Sequence, residues 1–182
     1  MALYVILAIV VLILIYGVST YNKLVRLRNQ SEESAAAIDA HLKKRYDLIP
    51  NLVETVKGYA KHESGTLTAV IEARNKAMGA TTLTEKNEAS NAFSSTLKSL
   101  FALSESYPDL KANQNFLDLQ NQLQKIEDEL LRVRKYYNAV IKEINTLIQT
   151  IPSSFVASIA KFSKLDYLTI EDEARSNVSV KF

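Results

Sequence analysis

The hydrophobic and polar positions divide the chain into an uncharged N-terminal run and a long remainder with helical periodicity. Residues 2–22 carry no charge. As a helix rising ~1.5 Å per residue they would span about 30 Å, which matches the hydrocarbon core of a membrane. A cleavable signal peptide is the alternative, with Gly17-Val18-Ser19 as a weak cleavage site, but no basic residue precedes the run and the run is long. The pattern therefore predicts a membrane anchor over residues 1–22.

The clearest helical pattern covers residues 112–151, where apolar residues recur in alternating steps of three and four. This period of about 3.5 residues is typical of a coiled-coil seam, and it predicts one long helix that Pro152 ends. The seam positions are Phe116, Leu119, Leu123, Ile126, Leu130, Val133, Tyr137, Val140, Ile144, Leu147 and Ile151. A stripe of that length needs a long companion helix, so the pattern favours a bundle.

Two pairs of residues have the spacing of a capping box, in which side chains bond the free backbone groups at a helix start. Thr82 and Glu85 stand before a helix that the periodicity predicts over residues 84–106. Ser106 and Asp109 repeat the spacing. They predict that the long helix opens there.

Apolar residues at helical spacing on both sides of Pro50 leave two geometries open. Pro50 could lie in the first turn of a new helix, with Asp47 as its N-cap, so that the chain reverses there. Alternatively Leu42, Ile49 and Val56 continue one phase, which predicts a single helix kinked at the proline. A reversal gives four antiparallel helices and returns the last long helix to the membrane, whereas a kink gives three.

Composition narrows the classes of function. The chain is 47% hydrophobic with a formal net charge of +2, and no long basic run indicates a nucleic-acid partner. It has no cysteine, which excludes disulfides, thiolate metal sites and a cysteine nucleophile. Four glycines and three prolines are too few for a turn-rich β fold or a glycine-rich nucleotide loop. These features indicate a mostly helical protein.

The polar residues do not match a catalytic, metal or cofactor motif. His41 and His62 lack the Glu-x-x-His and His-Glu-x-x-His spacings of metal-binding helices. Acidic triplets at residues 127–129 and 171–173 would point in different directions on a helix, so we expect solvated faces rather than acid–base pairs. The sequence therefore predicts no enzymatic activity and no cofactor.

A polar stretch beside Pro50 is the candidate docking surface for an acidic partner segment. It consists of Lys43, Lys44, Arg45 and Tyr46. The alternative is structural: the cations would complement the dipole at the C-terminus of a helix that ends there, for about 0.3–1 kcal/mol each.

Residues 152–164 have the pattern of a short amphipathic helix. If the bundle returns this segment to the membrane, we expect it to lie against lipid headgroups; the alternative is that it caps the bundle core. The candidate lipid contacts are Phe155, Ile159, Phe162, Lys161 and Lys164. Residues 165–182 are expected to form an acidic C-terminal tail, which would add to a partner or remain without fixed structure.

The chain resembles the LemA family of bacterial membrane proteins over essentially its whole length. The resemblance is carried by the apolar anchor and by "YNKLVRLRNQSEE", "LKKRYDLIPNLVETVKGYAKHE", "EARNKA", "YPDLKANQNFLDLQNQL" and "YYNAVIKEINTLI". It implies an antiparallel four-helix bundle on a single anchor, and hence a reversal near Pro50. Where the family usually has glycine before Phe162, this chain has Lys161.

The same resemblance bears on function without assigning a role to any residue. The family has no settled biochemical activity. One branch, in magnetotactic bacteria, is associated with forming magnetosome membrane vesicles, and members are often encoded near a membrane zinc protease. The resemblance thus makes a membrane protease one candidate partner.

Together these patterns predict a mainly α protein in the cell membrane, with a single-pass anchor followed by a bundle of long coiled-coil-like helices over residues 23–151. The resemblance implies that this bundle is an up-and-down four-helix bundle. Lys23, Arg26 and Arg28 follow the anchor, which places the N-terminus outside and the helical domain in the cytoplasm. We expect a non-enzymatic scaffold that organises membrane-associated complexes through lipid and other membrane proteins. The alternative is a membrane-remodelling protein that self-associates and contacts lipid directly.

Overall fold

The computed structural model describes residues 1–170, and every regular element among them is helical. The helices are α1 Ala2–Tyr59, α2 Ser64–Met78, α3 Leu83–Ser104, α4 Pro108–Lys111, α5 Gln114–Gln149 and α6 Ser153–Ile159. The mainly α fold class is therefore confirmed. The second acidic triplet and the end of the acidic tail, residues 171–182, lie outside the described residues.

The first helix runs through Pro50 without ending. Proline has no N–H to donate to the carbonyl four residues earlier, which is that of Tyr46. The Nε–H of Arg74, on α2, donates to this carbonyl at 2.9 Å instead. The chain turns back only after Tyr59, through residues 60–63. The reversal that the resemblance implied near Pro50 is therefore wrong, because a side chain from α2 replaces the hydrogen bond that the proline removes.

The two predicted capping boxes have different outcomes. The Thr82 hydroxyl accepts a hydrogen bond from the Glu85 backbone, and the Glu85 carboxylate accepts one from the Thr82 backbone, so the first box is confirmed. The second box, at Ser106, is wrong, since the residues after it form the four-residue α4 with no side-chain cap. The long helix starts later, where the Asn113 side chain accepts from the Phe116 N–H at 3.0 Å.

The chain divides into two compact units, and α1 and α5 each contribute to both. Unit 2 contains residues 38–132 together with the described residues from Leu168 onwards. Its most deeply buried side chains include Ile49 and Leu52 of α1, Val70 of α2, Phe93 and Leu100 of α3, and Phe116 and Leu130 of α5. Aromatic rings meet edge to face within this core, at Tyr46–Phe93 and at Phe101–Phe116. Unit 2 is thus held by apolar faces from four helices.

Unit 1 contains residues 1–37 and 133–167. Leu27 of α1 packs in one apolar cluster with Val140, Ile141 and Ile144 of α5. Lys23 forms an ion pair of 2.7 Å with Glu143. From Lys23 to Leu27 the numbers rise along α1 while those of the partners fall from Glu143 towards Val140 along α5, so the two helices are antiparallel in this unit.

The N-terminal part of α1 contacts nothing else in unit 1: every residue from position 1 to 16 is exposed. Within the described residues α1 is the one helix that is long and apolar enough to cross a membrane, judged by length and composition. The first 16 residues of the predicted anchor thus form an unpacked apolar helix, as a spanning segment would.

The segments that follow α6 are held by buried asparagine side chains. In unit 1 the Asn145 amide donates to the Leu165 carbonyl at 2.8 Å and accepts from the Leu165 N–H at 3.0 Å. In unit 2 the Asn87 amide donates to the Thr169 carbonyl at 2.8 Å, beside the buried Leu168. The first residues of the predicted tail are therefore packed.

Candidate docking and membrane-proximal surfaces

The predicted docking residues do not share one surface. Lys43 and Lys44 are exposed, and Lys43 bonds to Asp47 one turn later at 2.8 Å. Arg45 and Tyr46 are buried, with 3% and 5% exposure. Consecutive helical residues point about 100° apart, so a run of four must divide between solvent and core. The docking surface therefore reduces to the two lysines.

Arg45 is the centre of a buried polar network that links three helices of unit 2. Its guanidinium donates to the hydroxyls of Ser90 at 3.1 Å and Ser94 at 2.9 Å, and it pairs with Glu127 at 2.9 Å. The same group lies over the Phe93 ring, 5.1 Å from its centroid. A buried cation needs such partners because removal from water costs several kcal/mol, on the order of what pairing returns. Arg45 thus acts as a structural residue and is unavailable to a partner.

His41 and the first acidic triplet take part in ion pairs and hydrogen bonds within unit 2. His41 lies 3.1 Å from Glu129, while His62 is exposed. Within the triplet, Glu127 pairs with Arg45, and Asp128 accepts from Gln124. Residues 1–170 hold no group of three or more acidic, histidine or cysteine side chains suited to a metal ion.

The segment after Pro152 exposes apolar side chains at the end of unit 1 that lies beside the uncharged run. Phe155 is 64% exposed and Ile159 85% exposed, whereas Ser153 and Ala157 face inwards and are buried. Phe162 is half-buried, and its ring meets that of Tyr21 edge to face with 6.4 Å between centroids. Tyr21 belongs to the uncharged run, so this contact puts Phe162 at the end of the predicted anchor. Two of the three predicted aromatic and aliphatic lipid contacts are thus free to meet lipid, and the third packs on α1.

Lys161 lies in the left-handed region with φ of 58°. The Phe162 N–H donates to the Ala157 carbonyl at 2.9 Å and the Lys161 N–H to the Ser158 carbonyl at 3.1 Å. This is the Schellman pattern of helix ends, in which glycine is usual because it avoids strain of about 1 kcal/mol. The family that the sequence resembles usually has glycine at this position. Lysine here therefore adds a positive charge but strains the backbone. Lys164 is also exposed.

A partly open pocket of about 280 Å³ lies in unit 1 beside this turn. Ile144, Phe162 and Leu165 form its apolar side. Arg28 and Lys161 stand on its polar side together with Glu32, which bonds to Arg28 at 3.3 Å. Because the acidic residue offsets one of the two cations, the pocket has no strong charge preference.

The shifted titrating groups do not assemble into an acid–base site. Burial, and then the charge of Asp166, raise the pKa of Tyr137. Burial, and then a hydrogen bond to Glu63, raise the pKa of Tyr107. Both phenols therefore stay protonated at neutral pH. Hydrogen bonds from the backbones of Thr82 and Thr81 lower the pKa of Glu85 to about 2, as expected for a helix cap.

Sequence reasoning missed two residues that matter here. Arg74 carries no motif, and its role at the Tyr46 carbonyl becomes visible only when α2 packs on α1. Ile151 was assigned to the buried seam, but it is 79% exposed. Pro152 directly after it was the available signal, because the residue before a proline is disfavoured in a helix and so tends to lie outside the regular seam.

Comparison with known proteins shows which sequences this chain is similar to. The sequence model of the LemA family matches residues 34–182. Protein LemA of Metamycoplasma hominis is 28% identical over 137 residues, which are 75% of this chain and 63% of that relative. The chain thus spans under two thirds of the length of that curated relative.

Proposed function

The chain belongs to the LemA family, and on that premise we propose that it is a single-pass, non-enzymatic scaffold that organises membrane-associated complexes. The observation that supports this is the continuity of α1, which passes from the exposed apolar run of residues 1–16 into the packed part of unit 1 without a break. Because an unbroken helix is stiff, the membrane segment and the packed part of unit 1 move as one body. A scaffold that presents surfaces at a set height above the bilayer needs such a connection.

The proposal includes the finer arrangement expected from the pattern. In this proposal residues 23–151 form an up-and-down four-helix bundle, and the basic residues after the anchor keep the helical domain in the cytoplasm. Lys43 and Lys44 offer an acidic partner two exposed cations on one helix. The partner is another membrane protein, with a membrane protease as one candidate.

The test is photo-crosslinking from defined positions of the full chain in intact cell membranes. A crosslinking side chain at Lys44 is compared with one at Thr68, which is equally exposed but lies on α2. We expect Lys44 to capture a defined set of membrane proteins, and Lys43→Glu to reduce that capture about tenfold by placing a like charge against an acidic partner. If the crosslinker captures only lipid and other copies of the chain, the proposal that the protein is a scaffold is wrong.

A second candidate, direct membrane remodelling, is supported by the exposed apolar side chains of α6. Chains that self-associate and each press apolar surface into one leaflet would bend it. The test is reconstitution of the purified full chain into large vesicles without any partner, with vesicle shape followed by electron microscopy. We expect tubes or small vesicles from the native chain and none from a Phe155→Ser, Ile159→Ser double variant. Undeformed vesicles at high protein density refute this candidate.

A further inference from the structure

The antiparallel pairing in unit 1 fixes the height of α6 along α1. The Lys23–Glu143 ion pair matches one position on each helix. From Glu143, α5 continues six residues to Gln149, which is about 9 Å in the direction of the anchor. The same rise along α1 leads from Lys23 back to Gly17. The start of α6 thus lies level with the last turns of the uncharged run.

The pattern of buried residues along α1 agrees with this height of α6. Positions 1–16 are all exposed, but Gly17 is half-buried and Thr20 is 7% exposed. The exposed run alone covers about 24 Å, less than the ~30 Å of a hydrocarbon core. A bilayer that covers the whole uncharged run must therefore reach the turns around Gly17 and Thr20, where α1 is packed against other residues of unit 1.

At this height three large apolar side chains point away from the protein. Phe155 and Ile159 lie four residues apart on α6 and are 64% and 85% exposed, and Ile151, in the turn before Pro152, is 79% exposed. We call these three side chains the α6 apolar ridge. Isolated apolar side chains on a surface need no explanation, but three large ones close together in the chain beside a candidate spanning helix do.

We infer that the α6 apolar ridge inserts into the interfacial layer of the bilayer, on the side where α1 leaves it, as a second membrane contact of unit 1. The occupant is lipid because Phe162, three residues after Ile159, packs on Tyr21 of the uncharged run, which puts the end of α6 beside the candidate span. Lys161 and Lys164, both exposed and close to the ridge in sequence, suit anionic headgroups. Two contacts, one spanning and one interfacial, set the tilt of unit 1 as well as its height.

This inference rests on the proposed anchoring by α1, so its test includes the anchor. The chain has no cysteine, which allows single-cysteine variants of the full chain without further changes. A polarity-sensitive fluorophore is attached to Phe155→Cys and Ile159→Cys on the ridge, to Leu12→Cys in the span, and to Lys135→Cys on α5. Lys135 is exposed and lies about 12 Å farther from the membrane than Glu143. Circular dichroism confirms that each variant is folded.

Each variant is reconstituted in vesicles of phosphatidylglycerol and phosphatidylcholine with quenchers on the lipid chains. We expect quenchers near the headgroups to reduce emission from the two ridge positions about twofold, as for an interfacial helix. Deep quenchers should act on the Leu12 label, and neither kind on the Lys135 label. Labels on the ridge that stay unquenched while the Leu12 label is quenched overturn the inference and leave the anchor intact.

Two further outcomes would also contradict the insertion of the α6 apolar ridge into lipid. Blue-shifted emission without lipid quenching would mean that protein, such as a second copy of the chain, covers the ridge. An unquenched Leu12 label would mean that α1 does not span, which removes the anchor and the ridge together.

Discussion

The continuity of α1 through Pro50 depends on a hydrogen bond from another helix, and that dependence can be measured. Pro50 gives the Tyr46 carbonyl no backbone partner one turn ahead, and Arg74 of α2 donates to it at 2.9 Å. Replacing Pro50 with alanine restores an N–H at the helical position. The contribution of Arg74 should therefore be large with Pro50 present and small with alanine in its place.

The magnitudes come from the geometry. Arg74→Ala in the native background removes a hydrogen bond with a charged donor to a buried residue, which should cost about 1.5–3 kcal/mol. Pro50→Ala should stabilise by about 1–3 kcal/mol, since proline is the worst residue in a helix interior. With alanine at 50, we expect Arg74→Ala to cost less than about 1 kcal/mol, which leaves a coupling energy of about 1–2 kcal/mol.

The assay is thermal unfolding of the full chain in detergent micelles, followed by circular dichroism, for both single variants and the double variant. At this chain size 1 kcal/mol corresponds to about 2–4 °C in Tm. Lys76→Ala is the matched control, because Lys76 is an exposed cation two positions along α2. It should change little in either background. If the effects of Arg74→Ala and Pro50→Ala simply add, the Arg74 hydrogen bond does not explain why α1 continues.

Four further predictions use the same assay. Arg45→Ala should destabilise by about 3 kcal/mol because it deprives Glu127 of its cation, and a loss below about 1 kcal/mol would show that the network contributes little. Thr82→Ala should cost about 1 kcal/mol. Because the pKa of Glu85 is lowered from 4.5 to about 2, the stabilisation from its carboxylate is complete above about pH 4.5 and is lost as the pH falls towards 2, and Glu85→Gln should remove this pH dependence. Lys161→Gly should stabilise by about 1 kcal/mol, since φ is 58° there, and a loss of stability would show that the lysine side chain has a packing role.

The long helices could be read from the sequence because their signal is repeated many times. Along α5 the seam positions from Phe116 to Ile144 are buried or half-buried, as the period of three and four predicts. The Thr82–Glu85 box was equally readable, since a capping box needs residues only three apart. Patterns of this kind are formed by residues close together in the chain, so the sequence alone predicts their geometry.

The features that sequence reasoning placed wrongly depend on contacts between distant residues. Pro50 and Arg74 are 24 positions apart in the chain, and no pattern within α1 reveals that an arginine on another helix reaches the Tyr46 carbonyl. Arg45 looked like a surface cation because arginine is seldom buried. Its partners Ser90 and Glu127 come from two other helices, so their convergence is a property of the packed unit.

Ile151 shows how one seam can end in a different environment from the one in which it starts. The apolar repeat continues to Ile151, but α5 ends at Gln149, so the last seam residue leaves the stripe that buries the others. The segment after Ile151 does not fold back to cover it. The Ser153 hydroxyl donates to the Thr150 carbonyl at the start of α6, and Asn145 holds Leu165 against α5 beyond its end, so this segment is fastened on both sides. These hydrogen bonds favour an orientation of α6 that leaves its apolar side chains exposed. The exposure of the α6 apolar ridge is therefore built into the fold, and a membrane that reaches the last turns of the uncharged run would cover it.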